Sequence, residues 1–130
     1  MNDTEDNLIY PDLSYKVMGL AMSVHRELGP GFMEKVYENA LMHLLNQNSI
    51  TAHQQVPLKV IFKGVIVGDY IADILVDDKI IIELKACEKM DNIHKAQVIN
   101  YLKATNKKLG LLINFGKKSL EYERLINCQR

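Results

Sequence analysis

The chain has no tryptophan and only two cysteines, Cys87 and Cys128, too few and too isolated for a disulfide framework or a thiolate zinc site. No apolar run approaches the ~20 residues that span a bilayer. The acidic opening, Met1 to Asp6, lacks the basic and apolar regions of a signal peptide, so the expected location is the cytoplasm. Also missing are a glycine-rich phosphate loop, a nucleophile elbow, an internal repeat and any low-complexity tract. His25, His43, His53 and His94 include no pair at metal spacing within one predicted helix, and none is assigned to zinc. Net charge is absent as well, which argues against a surface that grips phosphates all over.

That zero conceals a segregation. Residues 1 to 91 carry 8 Lys/Arg against 14 Asp/Glu, whereas residues 92 to 120 carry Lys95, Lys103, Lys107, Lys108, Lys117 and Lys118 and no acid. Three of these, Lys103, Lys107 and Lys108, close a predicted helix and suit its negative C-terminal end. The 130 residues, 48% hydrophobic and 25% charged, fit one domain with one core.

Apolar spacing and punctuation set the element order. A polar leader over 1–11 precedes a helix capped by Asp12 or Ser14, with Val17, Leu20, Ala21, Val24 and Leu28 on its apolar face, and Gly29-Pro30-Gly31 stops it. A second helix runs from about Met33 to Gln47, with the stripe Val36, Tyr37, Ala40, Leu41, Leu44 and Leu45. Strands are expected at about His53 to Phe62, Val65 to Val76 and Lys79 to Ala86, separated by turns at Lys63-Gly64 and Asp77-Asp78. A helix between Asp91 and Asn106 and a buried strand from Leu109 to Phe115 complete a β-α-β unit, whose two strands should be parallel. Leu120 to Ile126 can add an edge strand.

Within this pattern the stretch Ile71 to Ala86 stands out, because it sets Asp73, Glu83 and Lys85 into apolar strand sequence. Unpaired charges there cost several kcal/mol and need a reason. Glu83 and Lys85 project on one side, roughly 7 Å apart. A three-residue loop over Asp77, Asp78 and Lys79 would set Asp73 across from Glu83, and a two-residue loop would send them to opposite faces. An odd loop or a bulge is therefore expected. Two carboxylates beside an ammonium can seat Mg²⁺ or Mn²⁺, which prefer oxygen ligands, with the lysine free to orient or help deprotonate a water. They can equally form a cross-strand ion-pair cluster at the end of the sheet.

Other polar residues lie near apolar faces. Glu34 falls between Leu41 and Leu45 on a helical wheel, with Glu38 one turn on, so either can add an acid to the site or snorkel to solvent. Gln97 and Tyr101 stack on one helical face, where they can serve the lysine, a water or a substrate strand, or simply satisfy each other.

The order of helix, meander with Asp73 and Glu83-Leu84-Lys85, helix with Gln97, and parallel strand resembles the PD-(D/E)XK nuclease superfamily. Gln97-Val98-Ile99-Asn100-Tyr101 resembles the Gln-x-x-x-Tyr element of its RecB-like branch. Gly31-Phe32-Met33-Glu34-Lys35-Val36-Tyr37 is similar to the pattern that names the GxxExxY family, as are Gly29-Pro30-Gly31 and Gly110 to Gly116. The resemblance implies an α/β fold with a restriction-endonuclease-like αβββαβ core, a central mixed sheet flanked by helices, and an extra N-terminal helix, all within one nuclease domain over 12–130. It implies metal ligation by Asp73, Glu83, the Leu84 carbonyl and Glu34, catalysis by Lys85, and accessory roles for Gln97 and Tyr101. The implied cofactor is Mg²⁺ or Mn²⁺ and the implied partner is DNA or RNA; apart from the resemblance, a monomer this small offers little surface for grasping a duplex, so a homodimer is an expectation. Ile71 departs from the basic residue expected there, which weakens a phosphate contact at that position. The competing expectation is a non-catalytic module that binds nucleic acid or protein on the same fold.

Overall fold

The computed structural model describes residues 9–127. Most of the leader expected over 1–11 lies outside them, as does Cys128. Helix α1 spans Pro11–Leu28. It starts before either expected cap, Asp12 or Ser14, with Tyr10 at the cap position and Pro11 in the first turn, where a missing N–H costs nothing. The Ser14 hydroxyl instead donates to the Pro11 carbonyl at 3.2 Å. Gly29, at φ 67, ends the helix.

Helix α2 covers Glu34–Gln47 and buries Tyr37, Glu38, Leu41 and Leu45. Val36, expected in the buried stripe, is exposed. Strands β1 (Ala52–Phe62), β2 (Val65–Val76) and β3 (Ile80–Lys85) form the meander. Helix α3 (Asn92–Thr105) then leads to β4 (Leu109–Asn114), and β5 (Glu121–Ile126) adds the edge strand. The sheet runs β1-β2-β3-β4-β5, with β3 and β4 parallel and the other neighbours antiparallel.

Helices α1 and α2 cover one face of this sheet through Val17, Ala21, Tyr37, Leu41 and Leu45, which meet Ile74, Ile80, Ile82, Leu84, Leu111 and Ile113. On the other face Val98 and Leu102 of α3 meet Tyr70, Ala72, Leu75, Ile81 and Leu112. Burying side chains of this size stabilises the domain by roughly 1.5–3 kcal/mol each. Asp91 caps α3 by accepting from Ile93 N, and His94 Nδ1 accepts in return from Asp91 N. That reciprocal cap is the task of His94.

The far end of the β1–β2 hairpin carries its apolar residues in the open. Ile61, Phe62, Val65, Ile66 and Val67 are each more than half exposed, around a turn at Lys63 and Gly64. No helix among the described residues is long and apolar enough to cross a membrane.

Candidate active site

The loop between β2 and β3 has three residues, Asp77 to Lys79, with Asp77 and Asp78 at φ 52 and 54. Short polar side chains tolerate that left-handed backbone. The ladder then pairs Val76 with Ile80, Leu75 with Ile81 and Ile74 with Ile82, a register that brings Asp73 opposite Glu83. Backbone pairing stops at that point and side chains take over. Asp73 Oδ2 accepts from Leu84 N at 2.8 Å, and Glu83 Oε1 accepts from Asp73 N at 3.4 Å. The strands are thus held by the two carboxylates where they part.

A second irregularity lies beside the first. Ala52 packs on the α1/α2 face, but Val56, Leu58 and Val60 pack on the α3 face, and β2 changes sides likewise between Ala72 and Ile74. The switch occurs at Gln55, φ 52, and at Asp73. It turns Tyr70 to the α3 face, where the Tyr70 hydroxyl donates to Glu83 Oε1. The Tyr70 ring stacks on Tyr101 of α3 with centroids 3.8 Å apart and planes at 11°. Simple strand alternation from Asp73 places Tyr70 on the opposite side, and that is why the sequence alone did not single it out.

Glu38, not Glu34, is the helix carboxylate linked to the pair. Its Oε1 accepts from Gln55 Nε2 at 3.0 Å, and Gln55 Nε2 lies 3.5 Å from Asp73 Oδ1. Its Oε2 accepts from Gln54 and Lys35 at 2.7 and 3.0 Å. Glu34 is exposed as the first residue of α2, because the helix begins there and its first turn overhangs the core.

Lys85 is half-buried, and among the described residues its ammonium makes no hydrogen bond or ion pair. Gln97 is exposed and likewise makes no hydrogen bond, one turn before Tyr101. Three of the six lysines in the basic stretch are spent on acids of the same chain, in Lys95–Glu123, Lys107–Asp78 and Lys117–Glu121.

The segment after Lys85 is clamped by β4. Asn114 Oδ1 accepts from Cys87 N and Gly116 N, Asn114 Nδ2 donates to Cys87 O, and Phe115 N donates to Lys85 O at 2.8 Å. A Cβ on Gly116 would lie 2.3 Å from Cys87 O, so only glycine lets the two backbones pass this close.

Electrostatics follow from this packing. Burial, reinforced by the charge of Asp73, pushes Glu83 up to about 7. Burial also raises Asp73, with the Glu38 charge adding to it, while the Leu84 N–H and the Lys85 charge pull the other way. Burial and the Glu83 charge push the Tyr70 phenol upward, so it stays a donor. Two carboxylates that resist ionising side by side suit a hard cation, and every donor at hand is oxygen. Among the described residues no three His, Cys, Asp or Glu side chains converge as a metal group. Asp73 and Glu83 would therefore hold such a cation together with backbone oxygens and water.

The family model of the PD-(D/E)XK nuclease superfamily matches residues 11–125. The chain belongs to that superfamily. As a PD-(D/E)XK protein it has a counterpart of known structure in the crystal structure of SSO0001, with TM-score 0.57 and 20% identity over 75% of this chain. That likeness concerns the fold, and the PD-(D/E)XK chain described here covers 52% of the length of SSO0001. No curated protein matches it in sequence.

Proposed function

We propose that this chain is a divalent-metal-dependent nuclease, hydrolysing phosphodiester bonds in DNA or RNA with Mg²⁺ or Mn²⁺ held by Asp73, Glu83 and the Leu84 carbonyl. The observation that carries this is the pair of carboxylates bridging parted strands, with the ammonium of Lys85, on the strand of Glu83, making no hydrogen bond or ion pair among the described residues. A cation bound there neutralises charge that builds on the phosphate in the transition state. Lys85 holds a water with its ammonium, or takes the water's proton when neutral, as the water oxygen attacks phosphorus and the opposite P–O bond breaks. The departing oxygen is protonated from solvent. Gln97 and the Tyr101 hydroxyl, neither hydrogen-bonded among the described residues, can contact the backbone of a substrate strand.

Membership of the GxxExxY family and of the Gln-x-x-x-Tyr branch is supported by what those residues do. The Tyr37 hydroxyl donates to Gly29 O at 2.6 Å and accepts from Phe32 N at 3.1 Å, closing the loop that carries the motif. Tyr101 stacks against the site. Residues 12–130 are taken as one nuclease domain, in line with the match over 11–125.

The test is a panel of single- and double-stranded DNA and RNA incubated with Mn²⁺ or Mg²⁺. Cleavage of at least one class is expected, and chelator should abolish it. Binding without cleavage across the panel would establish the non-catalytic module instead. A homodimer is part of the proposal, supported by the exposed apolar hairpin tip. Sedimentation at micromolar concentration should then give twice 14.9 kDa, and a monomer throughout would rule pairing out.

A further inference from the structure

We propose that Tyr70 is a positioning residue for this reaction, whose buried hydroxyl clamps Oε1 of Glu83 and so leaves Oε2 as the oxygen offered to a cation. This rests on the nuclease function proposed above. Among the described residues two hydrogen bonds reach the Glu83 carboxylate, from the Tyr70 hydroxyl and from Asp73 N, and both land on Oε1 and none on Oε2. Tyr70 is only 6% exposed, so its hydroxyl has no competing solvent shell. Its ring is pinned flat against Tyr101, which removes the freedom to swing away. Glutamate has three rotatable bonds, and a carboxylate fixed at one oxygen presents the other in a single direction.

The stack has a second consequence. Tyr101 belongs to α3 and Glu83 to β3, so the Tyr101–Tyr70–Glu83 chain joins the helix on the open side of the site to the acidic pair. Groups that hold a ligand residue from behind change metal affinity by about 10- to 100-fold when removed. Tyr70→Phe deletes one oxygen and keeps the ring, the burial and the stack.

The experiment is Mn²⁺ titration calorimetry on the full chain. Tyr70→Phe should weaken Mn²⁺ binding by about 10- to 100-fold, with the metal-free melting temperature within a few degrees of wild type. It should lower kcat and leave KM for nucleic acid unchanged. Tyr122→Phe, at an exposed tyrosine, should change none of these. In a Glu83→Gln background, Tyr70→Phe should cost no further Mn²⁺ affinity, because the group it positions is gone. Wild-type affinity in Tyr70→Phe, or a full additional loss in the Glu83→Gln background, would overturn the assignment while leaving the nuclease function standing. Failure of the wild-type chain to bind Mn²⁺ would overturn both.

Discussion

Lys85→Ala is expected to lower metal-dependent cleavage by about 10²- to 10⁴-fold, the usual contribution of a positioned proton-transfer group. The fold should survive, because the Lys85 ammonium makes no hydrogen bond or ion pair among the described residues. Its backbone carbonyl, which Phe115 N uses, is untouched by the substitution. Melting temperature should therefore move by a few degrees at most, and the loss should lie in turnover rather than in substrate binding. A second signature separates this from a passive surface lysine. The Lys85 charge holds the pKa values of Asp73 and Glu83 down, so its removal raises both and shifts the acid limb of the pH–rate profile of any residual activity to higher pH. Single-turnover cleavage across pH checks both points, and wild-type rates in Lys85→Ala would remove the lysine from the mechanism.

The acidic pair was legible because the rules involved are local. Strand alternation puts Glu83 and Lys85 on one side, and the length of a loop decides which residue of β2 comes opposite Glu83. An odd loop, such as Asp77, Asp78 and Lys79, brings Asp73 there, and the structure has that three-residue loop, with β3 starting at Ile80 and not at Lys79 as the strand expectation had it. The β-α-β unit was legible for the same reason, since a buried strand after an intervening helix returns parallel to the first.

The residues that surround the pair were not legible, because they depend on a break in alternation. Gln55 adopts φ 52, an unusual backbone for a residue that is not glycine, asparagine or aspartate, and nothing in its neighbours announces it. Once β1 and β2 change faces there, Tyr70 joins Glu83 and Gln55 joins Glu38 to Asp73. The choice between Glu34 and Glu38 turned on which turn of α2 lies over the sheet, since the helix starts within one residue of where it was expected and only its second turn carries a buried carboxylate. Gln97 shares a face with Tyr101 as its spacing requires, yet that face meets the sheet only at Tyr101, leaving Gln97 in the open. The hairpin tip has the apolar composition of buried strand and yet lies in the open. Composition cannot tell which part of a long hairpin the helices will cover.

The metal-free protein should lose stability as pH rises from about 4.5 to about 7, the reverse of the behaviour of a salt-bridged carboxylate. Glu83 titrates at about 7 in the folded chain against an ordinary value of 4.5, so between those limits the folded state binds more protons than the unfolded one. The slope of unfolding free energy with pH is then negative. Stability contributed by the protonated carboxyl is complete below 4.5 and gone above about 7. The span amounts to on the order of 3 kcal/mol, or roughly 10 °C of melting temperature for a domain of this size. Burial raises Asp73 too, which adds to the fall in the same direction. A cation held by both carboxylates requires them ionised, so saturating Mn²⁺ should cancel or invert the slope, with its stabilisation largest above pH 7. Glu83→Gln removes the ionisation and should flatten the metal-free profile, leaving a protein that is more stable than wild type at pH 8 and that gains much less stability from Mn²⁺ than wild type does. Thermal melts of both chains from pH 4.5 to 8.5, with and without Mn²⁺, measure all four cases. A metal-free wild type whose difference from Glu83→Gln stays constant across that range would show that Glu83 ionises freely, and the reason for placing a cation beside it would disappear.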